Sequence, residues 1–189
     1  MYFKQISTCN NSLARTGILE TPHGKVQTPV FMPVATAGAI KTLSTDEMKS
    51  LGYEIILGNT YHLHLRPGED LIEKMGGLAK WMNWNKPILT DSGGYQAFSL
   101  GATKSKKAKT TNESVRFYSH LDGRKIVFTP KSVIDIQLKI GSDIVMVLDD
   151  CAPFPANEKR LSSAVIRTRE WAKRSIEYWQ TQKVGERGL

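Results

Sequence analysis

Three clusters of polar side chains in this sequence have residue types and spacings that could do chemistry. Asp91-Ser92-Gly93-Gly94-Tyr95-Gln96 follows directly on the apolar run Pro87-Ile88-Leu89-Thr90. A carboxylate at such a strand end can take or give a proton, or hold an amide or amine edge. The two glycines let the main chain approach a ligand or adopt positive φ, and Tyr95 offers a flat face to a planar ring. The same residues also fit an ordinary strand-end turn closed by an Asx-type hydrogen bond. Asp149-Asp150-Cys151 ends a second apolar run. Adjacent strand residues point to opposite faces, so one of the two carboxylates is expected in a pocket. Asp149 is assigned that place, with Asp150 capping or pairing with a basic group. A carboxylate there could read the N–H edge of a purine, as acidic side chains accept hydrogen bonds from base amines. Cys151 reads as a small buried hydrophobe rather than a reactive thiol. His62-Leu63-His64 forms a rival centre, because His-x-His on a strand puts two imidazoles on one face, as in metal-dependent barrel hydrolases. The pair runs into Leu65-Arg66-Pro67-Gly68, however, which reads as a loop and a poor ligand platform.

These clusters need a scaffold that brings strand ends together. Residues 30–34, 54–61, 87–91 and 143–149 read as strands, and turn chemistry between two short runs in residues 17–26 predicts a β-hairpin ahead of them. Ser44 opens a short capped helix, residues 69–75 form another, and Pro130 starts one that ends before Gly141. Asn157 caps a long helix with Leu161, Ala164, Val165, Thr168, Trp171, Ala172 and Trp179 at near-helical spacing, its tryptophans expected in the core. Residues 102–111, with Lys104, Lys106, Lys107 and Lys109, read as an exposed loop. Strands alternating with helices imply an α/β fold with a parallel sheet and right-handed crossovers, either a small open sheet or half of an eight-stranded barrel. Both gather ligands at the C-terminal strand ends, where Asn59, Thr60, Asp91, Ser92 and Asp149 fall. No linker, repeat or low-complexity segment divides residues 1–189, so one domain is expected.

Composition narrows the partner. A formal charge of +8 and a pI near 9.5 favour an anionic partner such as nucleic acid. Aromatics are 8% of residues and do not interleave with the cations, which argues against a single-strand stacking platform. Cys9 and Cys151 are too few for a disulfide framework or a Cys-rich metal site. With no signal pattern and no apolar run near the roughly 18 residues of a membrane span, a soluble cytoplasmic protein is expected. Dinucleotide, Walker, nucleophile-elbow and Cys-x-x-Cys motifs are absent.

Four segments in series resemble the tRNA-guanine transglycosylases, or queuine tRNA-ribosyltransferases. They are Phe31-Met32-Pro33-Val34-Ala35-Thr36; Gly58-Asn59-Thr60-Tyr61-His62-Leu63 with Leu65-Arg66-Pro67-Gly68; Thr90-Asp91-Ser92-Gly93-Gly94-Tyr95-Gln96; and Gly141-Ser142-Asp143-Ile144-Val145-Met146 leading to Asp149. The tail of the match, Pro153-Phe154-Pro155-Ala156 and Arg169 to Ser175, looks bacterial in type. The resemblance implies a TIM (β/α)8 barrel, of which this chain covers roughly the first four βα units plus an N-terminal β-hairpin. It implies exchange of guanine at the tRNA wobble position for a 7-deazaguanine, preQ1 favoured over queuine, in a full-length homodimer. An aspartate would attack the ribose and the incoming base would resolve the covalent RNA intermediate. On that resemblance Asp91 is the general acid/base and Asn59 orients it, Tyr95 stacks on the base, Asp149 reads its edge, and Ser92, Gly93 and Gly94 line the substrate segment. The family's nucleophile and its zinc ligands, a Cys-x-Cys-x-x-Cys with a distant His, have no counterpart here and are expected beyond residue 189. The stretch from Lys104 to Lys109 is longer and more basic than the family pattern and could touch RNA.

Three readings follow. The first is a transglycosylase half that recognises and deprotonates the base and is inactive alone. The second is a non-catalytic tRNA-binding partner subunit, and the third a metal-dependent barrel hydrolase built on His62 and His64.

Overall fold

Alternating short strands at the N-terminus pair before any helix forms. In the computed structural model, which describes residues 1–100, 108–182, 184–185 and 187–189, β1 (Tyr2–Thr8), β2 (Arg15–Thr21) and β3 (Gly24–Thr28) make an antiparallel sheet in chain order. The expected hairpin is β2 and β3, turning at Pro22-His23, and β1 adds a third strand. Gly17 is needed in β2 because the Phe3 ring of β1 lies over it, and a Cβ there would fall 2.4 Å from ring carbons.

A four-stranded parallel sheet follows, built from β4 (Val34–Ala35), β5 (Ile56–Gly58), β6 (Ile88–Thr90) and β10 (Ile144–Val145). Among the described residues its spatial order is its chain order, with no reversal. Gly188 continues the series: it bridges Ile144 in parallel, its N–H reaching the Asp143 carbonyl at 2.9 Å and its carbonyl accepting from the Val145 N–H at 2.8 Å. The Met1 side chain covers Gly188, and a Cβ at that glycine would meet the Met1 Sδ at 2.6 Å.

Between these strands lie α1 (Thr45–Ser50), α2 (Thr60–Leu65), α3 (Glu69–Lys74), α4 (Leu78–Trp81), α5 (Gly94–Ser99), α6 (Pro130–Ile140) and α7 (Glu158–Gln180). The caps explain their starts. Ser44 and Glu47 form a reciprocal capping box on α1, Thr129 caps α6 with Pro130 in its first turn, and Asn157 caps α7. α6 stops at Gly141, left-handed at φ +86°. Between α5 and α6 sits an antiparallel sheet that the sequence reading did not anticipate, β7 (Lys109–Thr110), β8 (Val115–Tyr118) and β9 (Lys125–Phe128). Its alternation buries Val115, Phe117, Ile126 and Phe128 against the core.

Several expectations are corrected. The strands are shorter than read, two or three residues rather than five to eight. Residues 60 and 61 belong to α2, because the Asn59 side chain accepts from the His62 N–H and starts a helix where strand was expected. Strand β10 ends at Val145 because the Gln137 amide takes both main-chain groups of Met146. Lys109 lies in β7 rather than a loop, and Lys104, Lys106 and Lys107 fall outside the described residues. Trp171 is buried on α7 with Ala164 and Ser175, and its Nε1 donates to the Asn112 carbonyl at 2.7 Å. Leu161 and Val165, read as part of the same stripe, are exposed.

One buried carboxylate joins the two sheets. Asp143 is 1% exposed; its Oδ2 accepts from the Ile88 N–H at 2.9 Å, and its Oδ1 accepts from the His23 N–H at 3.2 Å and lies 2.7 Å from His23 Nδ1. Replacing Asp143 by Ala strands a buried amide donor and should cost about 2–4 kcal/mol. His23→Ala, at a half-exposed side chain, should cost about 1 kcal/mol or less. Urea melts of both variants measure this, and equal losses would show that the carboxylate does not depend on its buried partner.

Candidate active site

Desolvation dominates the chemistry at the C-terminal end of β6. Asp91 is the first residue after that strand, and its N–H still reaches the Gly58 carbonyl of β5 at 3.2 Å. Its side chain turns toward α2 and α5. Oδ1 accepts from the Thr60 N–H at 2.9 Å and the Gly93 N–H at 3.1 Å; Oδ2 accepts from Asn59 Nδ2 at 2.5 Å and, more weakly, from Gln96 Nε2 at 3.4 Å. Thr60 Oγ1 also donates to the Asp91 carbonyl. Burial pushes the carboxyl from 3.8 up to about 6, the Thr60 and Gly93 amides pulling against it and the charge of Asp149 adding to it. Asp91 is therefore ionised in most molecules near neutrality, yet close enough to its midpoint to exchange a proton.

The glycines are steric necessities. Gly93 is left-handed at φ +74°, and a Cβ there would sit 3.0 Å from the Tyr61 nitrogen and 3.1 Å from the Phe128 ring. A Cβ on Gly94 would lie 2.6 Å from Asp149 Oδ1 and 2.7 Å from the Asp149 carbonyl oxygen. The 93–94 main chain thus packs directly on the second carboxylate. Ser92 Oγ donates to Asp149 Oδ1 at 2.7 Å and accepts from the Gly94 N–H at 3.1 Å. Cys151 Sγ donates to Asp149 Oδ2 at 3.1 Å, and burial followed by that hydrogen bond pushes the thiol up to about 12. It stays protonated and is no nucleophile.

Asp91 and Asp149 line one open cavity of about 420 Å³ together with Ser92, Gly93, Gly94, Tyr95, Gln96, Met146, Val147 and Thr168. Tyr95, in the lining of the same cavity, is 61% exposed. Asp150 turns the other way, as expected: Arg160 grips it at 2.9 and 2.6 Å, and Arg167 joins the same carboxylate. The sequence reading gave no site role to Gln96, Met146, Val147 or Thr168. Gln96 and Met146 lie inside the family-like segments, whereas Val147 sits in an apolar run and Thr168 in a helical stripe, with no distinguishing signal.

Of the sequence-derived site residues, the structure gathers Asn59, Asp91, Ser92, Gly93, Gly94, Tyr95 and Asp149. It does not gather the histidines. Both lie on α2, where residues two apart point to different faces. His64 Nδ1 pairs with Glu69 at 2.8 Å, while His62 packs edge-on against Tyr61 and His120, burial holding its pKa below the usual range. Among the described residues no group of three or more His, Cys, Asp or Glu side chains is placed to hold a metal ion. Cys9 is exposed in the β1–β2 turn and Cys151 follows β10, so these thiols offer no shared donor set.

Because folding raises the Asp91 pKa, its contribution to stability is full below pH about 4 and is lost as the pH rises through about 6. Relative to Asp91→Asn, the native chain should lose up to about 3 kcal/mol across that window. Carboxyl-labelled NMR should show one aspartate titrating near 6 that vanishes in the variant; no such resonance would refute the buried-acid assignment. Gly94→Ala should displace Asp149 and cost about 2 kcal/mol or more.

Residues 9–187 match the family model described as queuine tRNA-ribosyltransferase. The chain is 55% identical over 161 residues to the queuine tRNA-ribosyltransferase of Caldanaerobacter subterraneus subsp. tengcongensis, covering 85% of this chain and 42% of that protein. It is 47% identical over 188 residues to the protein of the same name from Shouchella clausii, covering 99% and 48% respectively. With Natranaerobius thermophilus the identity is 51% over 171 residues, 90% and 45%. The chain spans about half the length of the curated relatives it matches.

Proposed function

We propose, given that this chain belongs to the queuine tRNA-ribosyltransferase family, that it supplies the base-recognising and proton-transferring half of a tRNA-guanine transglycosylase. The observation that carries this reading is the pair of carboxylates with unlike surroundings in one cavity: Asp91 is dehydrated and poised near pH 6, and Asp149 is fixed by Ser92 and Cys151. A purine leaving a ribose carries an electron pair on its glycosidic nitrogen, so a proton donor at Asp91 eases its departure. When the incoming 7-deazaguanine forms the new bond, the same carboxylate takes back one proton. The cycle is then neutral overall, and no external energy source is required.

Asn59 holds Asp91 in place, and Asp149 accepts from the N–H edge of the base. Tyr95 covers the ring, and the Ser92-Gly93-Gly94 main chain lies along it. The substrate is the guanine at the wobble position of tRNA, with preQ1 favoured over queuine as the incoming base, and the whole enzyme acts as a homodimer in the cytoplasm. The unreversed order of β4, β5, β6 and β10, with Gly188 next in line, supports placing the sheet as an arc of a (β/α)8 barrel. The aspartate that attacks the ribose comes from outside residues 1–189, so the chain alone is inactive. Zinc, which the family resemblance implies, finds no fitting donor set among the described residues.

Calorimetric titration of guanine into the chain should give saturable binding that Asp149→Asn weakens at least about tenfold, the loss of a buried charged acceptor. Guanine binding that ignores Asp149→Asn would remove the base-reading role. Exchange of labelled guanine into tRNA by the chain alone, at the rate of a full-length relative, would sink the half-site reading.

A further inference from the structure

The main-chain ladder between β6 and β10 ends at the pair Val145 and Thr90. Past it the two segments run on to Asp91 and Asp149 outside the ladder, and one side chain bonds to both. Gln137, in the middle of α6, is fully buried. A buried amide is costly unless all its donors and acceptors are met, and here each is. Its Nε2 donates to the Met146 carbonyl at 2.9 Å and to the Val133 carbonyl at 3.1 Å. Its Oε1 accepts from the Met146 N–H at 2.9 Å and from Thr90 Oγ1 at 2.8 Å, and Ser142 Oγ lies 2.6 Å from the same threonine oxygen. With the Thr90 proton directed to Gln137, Ser142 is the donor in that last contact.

The amide therefore does for Met146 what a neighbouring strand would do, taking its N–H and C=O together. A leucine would fill the same core volume but hold neither group. The two residues it grips are informative: Thr90 immediately precedes Asp91, while Met146 lines the cavity three residues before Asp149. We infer that Gln137 is a positioning residue that fixes the spacing of Asp91 and Asp149 across the cavity, with Thr90 and Ser142 completing its hydrogen-bond chain. This rests on the cavity being the base-binding site.

The test compares guanine binding by the native chain with that of Gln137→Met, Thr90→Val and Thr90→Ser, at a temperature where circular dichroism shows each variant folded. Gln137→Met should weaken binding about tenfold and move the Asp91 titration away from its native midpoint, as small misplacements of a site do. Thr90→Val should weaken it in the same sense, and Thr90→Ser, which keeps the hydroxyl, should restore native affinity to within about twofold. Should Gln137→Met not fold, the Thr90 pair decides the question alone. A lowered melting temperature with affinity and titration unchanged would overturn the inference and leave Gln137 a core residue. If Asp149→Asn weakens binding while these variants do not, the inference alone fails. If the native chain does not bind guanine, or binds it regardless of Asp149, the base-site reading fails and takes the inference with it.

Discussion

A carboxylate withdrawn from water persists only where donors surround it, and most of the local architecture can be read as meeting that condition for Asp91. Its acceptors need the first amide of α2, the side chain that caps α2, and an amide presented by a left-handed glycine. Two come from the consecutive residues Asn59 and Thr60 at the start of α2, and the third from the turn just after Asp91. Helix α2 must therefore begin at once after β5, with no loop between, and Gly93 must press against Tyr61 and Phe128. The aromatic layer beneath this point joins Tyr61 of α2 to Phe117 and Phe128, which the β7–β9 sheet contributes. The donors are sufficient to hold the charge but insufficient to erase the cost of burial, and the upward shift of the carboxyl is the residue of that imbalance.

The neighbouring acids show how the same side chain acquires different behaviour. Asp150 is almost wholly enclosed, yet two guanidinium groups neutralise it, and it serves to bind the segment after β10 to α7. Asp149, one residue earlier, accepts from a hydroxyl and a thiol and keeps a face toward the cavity. Asp143 sits below both and ties the antiparallel sheet to the parallel one. Four aspartates thus divide into two structural anchors and two groups facing a ligand space, a division set by the donors each one meets.

Much of this was legible in the sequence where a local rule sufficed. Ser44, Pro130 and Asn157 mark the starts of α1, α6 and α7, and Gly141 the end of α6, nearly to the residue. The clustering of Asn59, Asp91 and Asp149 followed from strand ends sharing one side of a parallel sheet. The failures have equally local causes. Asn59 is as good a helix cap as a strand residue, so the strand was expected to run through Tyr61 and the His62–His64 pair after it to lead into a loop. The β8–β9 hairpin carried alternation and an Asp122-Gly123 turn, but each strand is four residues long and gives a weak signal. The length of β10 was not readable at all, because it is set by a side chain on a helix rather than by its own residues.

The Met1 side chain, seated over Gly188, covers the point where that glycine pairs with β10. The contact also makes Met1 part of the packing beside β10, the strand that leads to Asp149. A bulky fusion partner placed directly on it would therefore press on the sheet next to the cavity, whereas a spacer long enough to leave Met1 seated would not.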